Sequence, residues 1–269
     1  MDFKEKLMCA SAIVNKAKEL GASLVGICSV EELKKAPSFT LAPKIPKGDV
    51  GSVESDRGLG PGEVCWPEDA KSVIVIAYAH PESEPRLDWW YGDENPPGNK
   101  VLIKINKDLS QWIESQYEIK TYSLHYFIEK GGIFLKDAAA QSGLGCIGKN
   151  NMLITPEYGP RVRLRAMLVT ETLPVTGTRK FNPCELCQAP CLNVCQKEAF
   201  SEIIYSKDEM GQSLLPGLIG NYSRPKCNIQ MVEDEKAAVM EPVPGVSKEP
   251  IKITKYCRSC ELSCPVGRE

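Results

Sequence analysis

Two runs of cysteine constrain this chain more than any other feature. The first is Cys184-Glu-Leu-Cys187-Gln-Ala-Pro-Cys191-Leu-Asn-Val-Cys195, with two, three and three residues between thiols. The second is Cys257-Arg-Ser-Cys260-Glu-Leu-Ser-Cys264-Pro265, with gaps of two and three, and a single Cys227 lies between the runs. Eight thiolates are what two four-iron clusters need, and the ferredoxin arrangement sends the last cysteine of a run to the neighbouring cluster. The spacing therefore predicts one [4Fe-4S] cluster on Cys184, Cys187, Cys191 and Cys264. A second is expected on Cys195, Cys227, Cys257 and Cys260. Two details depart from the commonest bacterial pattern: three residues separate Cys187 from Cys191, and Gln196 stands where a proline usually follows.

A pair of structural zinc sites is the alternative, because Cys-x-x-Cys occurs twice. Zinc sites rarely use a tight run of four cysteines, and no histidine lies in this region. A disulfide framework belongs to short secreted chains, and no secretory signature opens this one. The expected location is the cytoplasm, where all twelve cysteines stay reduced and open to metal. No apolar run approaches the length that crosses a bilayer, so no membrane partner is expected. A net charge of −2 excludes a strongly basic field over the whole protein and argues against tRNA as a partner.

Ahead of the cysteines the pattern alternates helix and strand. Residues 2–20 carry Phe3, Leu7, Val14 and Leu20 along one helical stripe, and Gly21 is placed to end it. Ala22 to Cys28 has strand length. Ala36 to Gly62 is rich in Pro, Gly and Ser and is expected as a long loop. Ser72 to Tyr78 is an unbroken apolar run suited to burial on both faces. Trp89, Trp90 and Tyr91 sit among acids and prolines, with packing onto the core as their expected use. Lys100 to Gln116 has helical spacing, Tyr122 to Ile128 resembles a strand, and Ile133 to Ser142 resumes as helix. A glycine-rich turn over 143–150 leads to Met152–Thr155. In the strand from Arg161 to Thr170, Arg161, Arg163 and Arg165 share one face. That face suits bidentate pairing with carboxylate or phosphate, but the base rate for charged residues predicts a solvated outer surface. Cys9, Cys28 and Cys65 are expected as buried apolar packing, and His80 and His125 as satisfied imidazoles, with His125 flanking any pocket. The fold class expected is α+β, with an α/β-like domain over residues 1–175 and a small ferredoxin-like two-cluster domain over 176–269.

The order of these segments resembles the catalytic part of the epoxyqueuosine reductases, cobalamin-dependent iron–sulfur enzymes related to the reductive dehalogenases. The matching stretches are Gly21-Ala-Ser-Leu-Val-Gly-Ile27, Ala70-Lys-Ser-Val-Ile-Val-Ile-Ala77, the cysteine tail with Cys227 in Arg-Pro-Lys-Cys, and the glycine-rich turn. That turn, Gly143-Leu-Gly-Cys-Ile-Gly-Lys-Asn-Asn-Met-Leu-Ile-Thr-Pro-Glu-Tyr-Gly159, is the most specific of them. The resemblance implies a base-off cobalamin between the α/β part and the clusters, with electrons passing from cluster to cluster to reduced cobalt. It implies that Gly145, Cys146, Ile147, Gly148, Lys149, Asn150 and Arg161 bind the cofactor. It also implies a proton donor near cobalt, and the matching position is Glu129, a carboxyl suited to that task once burial raises its pKa.

Three departures bear on the substrate. Cys146 replaces a bulky aromatic, Pro-Arg-Val-Arg-Leu-Arg-Ala replaces an aromatic run after Gly159, and the sequence ends five residues after Cys264 where the tRNA enzymes continue into helical repeats. The expected partners are an electron donor such as ferredoxin or flavodoxin and a small-molecule substrate or partner protein. The 36–62 loop and Trp89-Trp90 are expected to wall the entrance. The alternative is a dicluster electron-transfer protein without its own corrinoid that reduces a partner.

Overall fold

In the computed structural model the described residues are 2–50 and 57–268. The helix Phe3–Glu19 starts where the sequence supplies a reciprocal cap: Asp2 Oδ1 accepts from Glu5 N at 2.8 Å, and Glu5 Oε2 accepts from Asp2 N at 2.7 Å. Its buried stripe is Cys9, Ala10, Ile13 and Ala17, one face over from the stripe expected, and Phe3 is 76% exposed. Small residues on the inner face let the helix lie close to the sheet, which the apolar count alone did not reveal.

The main sheet has four strands in the order β1 (Leu24–Ser29), β2 (Ser72–Ala79), β7 (Val162–Val169), β4 (Thr121–Tyr122), and every pair is antiparallel. Val73 to Ala77 are fully buried, as their unbroken apolar run implies. One face, with Ile27, Ile74, Ile76, Met167 and Val169, packs on the first helix and on the helix Pro97–Tyr117 through Leu102, Ile105, Leu109 and Ile113. The opposite face, with Val73, Val75, Val162, Leu164 and Leu168, packs on Ala138 and Ala139 of the helix Leu135–Gln141. Helices therefore cover both faces of an antiparallel sheet.

Two expectations need correction. Tyr122–Ile128 is strand only at Thr121–Tyr122, because the next residues turn away to form the 3₁₀ turn Ile128–Lys130. The segment expected as loop over 36–62 holds the short helices Pro37–Leu41 and Lys47–Val50, and Leu41 and Ile45 bury against Tyr205 and Leu215 of the cysteine-rich half. Apolar residues spaced between prolines were enough for local turns with a partner to pack on. Residues 51–56 of that expected loop lie outside the described residues.

A second sheet, in the order β3 (Trp90–Tyr91), β9 (Ser247–Thr254), β8 (Val239–Val243), joins the early chain to the late one. Trp90 pairs with Thr254, three residues before Cys257, and the second cysteine run lies against His80 at the end of β2 and Arg161 at the start of β7. Trp89 and Tyr91 pack with Val243 and Ile253, the core use expected of them. A hairpin of β5 (Cys146–Ile147) and β6 (Leu153–Ile154) completes the strands. Among the described residues no helix is long and apolar enough to cross a membrane.

Candidate cluster and cofactor site

The two cysteine runs meet through two single helical turns, Pro190–Asn193 carrying Cys191 and Ser259–Leu262 carrying Cys260, which pack on each other. Burial pushes the Cys191 thiol up to about 11, and Cys264, Cys184 and Cys187 add to the shift. The Cys264 thiol is raised by burial and by the same two neighbours, Cys184 and Cys187. Burial raises Cys260 to about 12, and Cys227, Cys257, Glu261 and Cys191 add to the shift. Cys191 also acts on Cys260, so the thiols of the two runs lie within electrostatic reach of one another. Cys195 is tied to the Cys227 helix through backbone. Ala199 N donates to Cys195 Sγ at 3.4 Å, Ser223 N donates to Ala199 O at 2.7 Å, and Ser223 caps the helix Arg224–Lys236 that carries Cys227. Among the described residues no three His, Cys, Asp or Glu side chains stand close enough to hold a single metal ion.

These thiols fit iron–sulfur clusters on chemical grounds. Cys191 and Cys264 are buried, and burial destabilises a bare thiolate, a cost that a bound cation reverses. Backbone N–H groups also reach sulfur, with Ala189 N donating to Cys187 Sγ at 3.4 Å, the kind of contact that tunes cluster potential.

The glycine-rich turn braces the cysteine loops. Lys149 Nζ donates to Cys187 O at 3.0 Å, and Asn150 Nδ2 donates to Cys260 O at 3.3 Å. Arg161, buried, donates to Cys264 O at 3.3 Å and to Val266 O, and burial lowers its pKa. A Cβ on Gly145 would sit 2.0 Å from Ile154 O, so the glycine serves the β5–β6 hairpin. Cys146 lies beside the first expected ligand set. Burial pushes it up to about 11, with Cys184 and Cys264 contributing.

A buried charge cluster escaped the sequence reading. His80 Nδ1 lies 2.8 Å from Asp88 Oδ2, Arg163 Nε donates to Asp88 Oδ1 at 2.7 Å, and Arg258 pairs with both Asp88 and Glu261. Arg258 sits between Cys257 and Cys260, so the cluster fastens that loop to β2 and β7. Arg163 is therefore paired inside the protein and not on a solvated face. The one signal available was the arginine alternation, whose carboxylate partners were too remote in sequence to pick out.

Glu129 is buried on the 3₁₀ turn Ile128–Lys130, and its Oε1 has no hydrogen-bond partner among the described residues. Arg224, at the start of the Cys227 helix, is within electrostatic reach. Burial works against its charge, but Tyr222, Cys227 and Glu129 together hold its pKa up. Beside this turn opens a cavity of about 550 Å³ lined by His125, Tyr126, Phe127, Lys130, Arg165 and Cys65 among others. His125 flanks the pocket as expected. Cys65 is exposed, unlike Cys9 and Cys28, because it sits on the cavity wall and is not in either core.

No protein-family model matches the chain. The epoxyqueuosine reductase of Gloeobacter violaceus is 30% identical over 210 residues, 72% of this chain and 61% of that protein. The tetrachloroethene reductive dehalogenase of Dehalobacter restrictus is 26% identical over 71% of this chain and 38% of its own length. The chain is a homologue of these two groups of reductases. It spans less than two thirds of the length of either relative. An epoxyqueuosine reductase solved with an epoxyqueuosine-modified tRNA-Tyr stem loop superimposes with TM-score 0.58 at 19% identity, over 96% of this chain and 64% of that one. The likeness shows a shared fold.

In this homologue of the iron–sulfur and cobalamin-associated reductases, the residues singled out from sequence segregate. Lys149, Asn150 and Arg161 meet the cysteine loops and Cys146 lies beside them, and Gly145 and Gly148 abut Ile154. None of Gly145 to Asn150 lines the large cavity, whereas Lys130 and Gly131, which follow Glu129, do.

Proposed function

We propose that the chain is a cytoplasmic oxidoreductase with two [4Fe-4S] clusters, one on Cys184, Cys187, Cys191 and Cys264 and one on Cys195, Cys227, Cys257 and Cys260. In this reading electrons enter from a ferredoxin or flavodoxin and pass through the clusters to a bound cobalamin, for reductive cleavage of a substrate. The observation that carries the proposal is the meeting of the two cysteine runs on adjoining helical turns, with their loops held by Lys149, Asn150 and Arg161. When bound, the corrinoid supplies a strongly reducing metal centre. Glu129 supplies the proton, and its unpartnered buried Oε1 suits a carboxyl waiting for a substrate atom. Gly145, Cys146, Ile147, Gly148, Lys149, Asn150 and Arg161 are proposed to form the cofactor side.

Anaerobically reconstituted protein is expected to hold about eight iron and eight sulfide per chain. Hydroxocobalamin should then change its spectrum on binding and co-elute in gel filtration. Glu129→Gln should retain clusters and cofactor and lose turnover by about two to four orders of magnitude. Zinc in place of iron would overturn the cluster assignment.

One observation favours a second reading, a dicluster electron carrier. Gly145 and Gly148 are used up by contact with Ile154 and leave no open cradle for a flat ring. Failure of hydroxocobalamin to bind the iron-loaded protein would decide for the carrier. On substrate class, the tRNA stem loop held by the structural neighbour keeps tRNA beside a small electrophile. Binding of a modified stem loop with a steep salt dependence would favour the former.

A further inference from the structure

We infer that His80 is a proton acceptor coupled to the second cysteine run, taking up one proton as the cluster on that run takes up one electron. The inference rests on the cluster proposed above for Cys195, Cys227, Cys257 and Cys260. His80 directly follows β2 and is 4% exposed. None of its hydrogen bonds among the described residues goes to a cysteine. Its link to the run is Arg258, which stands between Cys257 and Cys260. Arg258 Nη2 donates to His80 O at 2.9 Å and lies 3.0 Å from His80 Nδ1. Asp88 Oδ2 is 2.8 Å from the same ring nitrogen, and Glu261 Oε1 is 3.6 Å from it. One nitrogen cannot serve a donor and an acceptor at once. Bare, Nδ1 accepts from the Arg258 guanidinium; carrying a proton, it donates to the Asp88 carboxylate. A partner for each state is already in place.

Charge balance gives the coupling its direction. Asp88 and Glu261 face Arg163 and Arg258, so two carboxylates offset two guanidiniums and the network is neutral when the imidazole is neutral. Of these side-chain types, imidazole is the one that changes charge between about pH 5 and 8. An electron placed on the adjoining cluster adds a negative charge beside buried groups, where charges act more strongly than in water. A proton on His80 restores the balance. In that step the cluster gains one electron from the donor protein, the imidazole gains one proton from water, and no ligand to iron changes. A cavity of about 90 Å³ lined by Glu82, Asp88, Lys255, Tyr256 and Arg258 adjoins the network. It has room for water to deliver the proton. Arg161 is the remaining charge nearby: its carbonyl accepts from His80 N at 3.1 Å, and its guanidinium is within electrostatic reach of Glu261 and Glu82. Among all these groups the imidazole is the type suited to titrate near neutral pH.

The test is a redox titration of the iron-loaded full chain, without cobalamin, followed by electron paramagnetic resonance between about pH 6 and 8. Reduction favours protonated His80, so the potential of one of the two clusters should fall as pH rises. The expected loss is up to tenfold in the reduction equilibrium per pH unit, about 59 mV for one electron. His80→Gln keeps a hydrogen-bonding side chain but cannot take the proton, and should make that step independent of pH. The chain has two histidines, and the other, His125, lines the larger cavity. His125→Gln therefore leaves His80 as the only imidazole and should keep the slope, a reading that stands even where His80→Gln sheds its second cluster. Potentials that do not move with pH in the wild type would overturn the inference. So would an unchanged slope in His80→Gln, or a slope lost in His125→Gln. Zinc in place of iron would remove this inference together with the cluster assignment, whereas about eight iron per chain with pH-independent potentials would remove this inference alone.

Discussion

Asp88 shows what one buried carboxylate can hold. It faces His80, Arg163 and Arg258 at once, and Arg258 belongs to the loop between Cys257 and Cys260. Removing its charge leaves two guanidinium groups inside the protein without their common partner, which costs about 3–5 kcal/mol. Asp88→Asn is therefore expected to lower the denaturant midpoint sharply, and to loosen the second cysteine run before the main sheet. Its pH dependence has a definite sign. Burial opposes ionisation, but His80 and the two arginines overcome it and hold the carboxyl below its usual range. The contribution to stability is then fully present above about pH 4, the unfolded value. It is lost as pH falls through the depressed folded value. Unfolding of the wild type and of Asp88→Asn should converge in strong acid, and a constant gap across pH 2–7 would count against the charge cluster. At this scale the sequence was least informative. The arginines of β7 were visible as a row, but nothing local distinguished Arg163, which has Asp88, from Arg165, which faces a cavity.

At the scale of elements the record depends on length and on partner distance. The long helices and the strands β1, β2 and β7 follow from periodicity, because their apolar residues outnumber any local distraction. β4 has two residues and exists only because Thr121 and Tyr122 meet Val169 and Leu168, a pairing no local pattern encodes. The glycine-rich turn was legible as a special place, and its geometry gives it a bracing use that the sequence did not suggest. Its glycines permit a hairpin, and the hairpin aims Lys149 and Asn150 at the cysteine loops. Gly145→Ala is the direct probe. Its Cβ would collide with a backbone carbonyl, which no side-chain motion can relieve, so β5 and β6 must separate. The expected outcome is a stable main sheet with reduced iron retention after gel filtration. Full iron content together with native thermal stability would show that the hairpin does not brace the clusters.

The whole molecule divides unevenly in what holds it together. Residues 2–175 have two apolar cores on either face of one sheet. The cysteine-rich stretch has three single helical turns and the longer helix Arg224–Lys236, which buries none of its residues, and Leu186, Ile203, Leu214, Ile219 and Ile229 are exposed there. A segment with so little buried apolar surface does not offset its own chain entropy, and metal binding supplies the difference in such segments. Iron removal by chelation under reducing conditions is therefore expected to act on part of the chain only. Hydrogen exchange should lose protection over 184–236 and 255–266 and keep it in β2 and β7. Substitutions should separate the two clusters in the same way. Cys184→Ser should bring iron from about eight to about four per chain while leaving the Cys257 loop protected, and Cys257→Ser should do the reverse. Cooperative unfolding of the main sheet on iron loss would mean that the two halves form one folding unit. Unchanged exchange after complete iron removal would mean that the cysteine loops hold their shape without metal, and the cluster reading would then lose its structural argument.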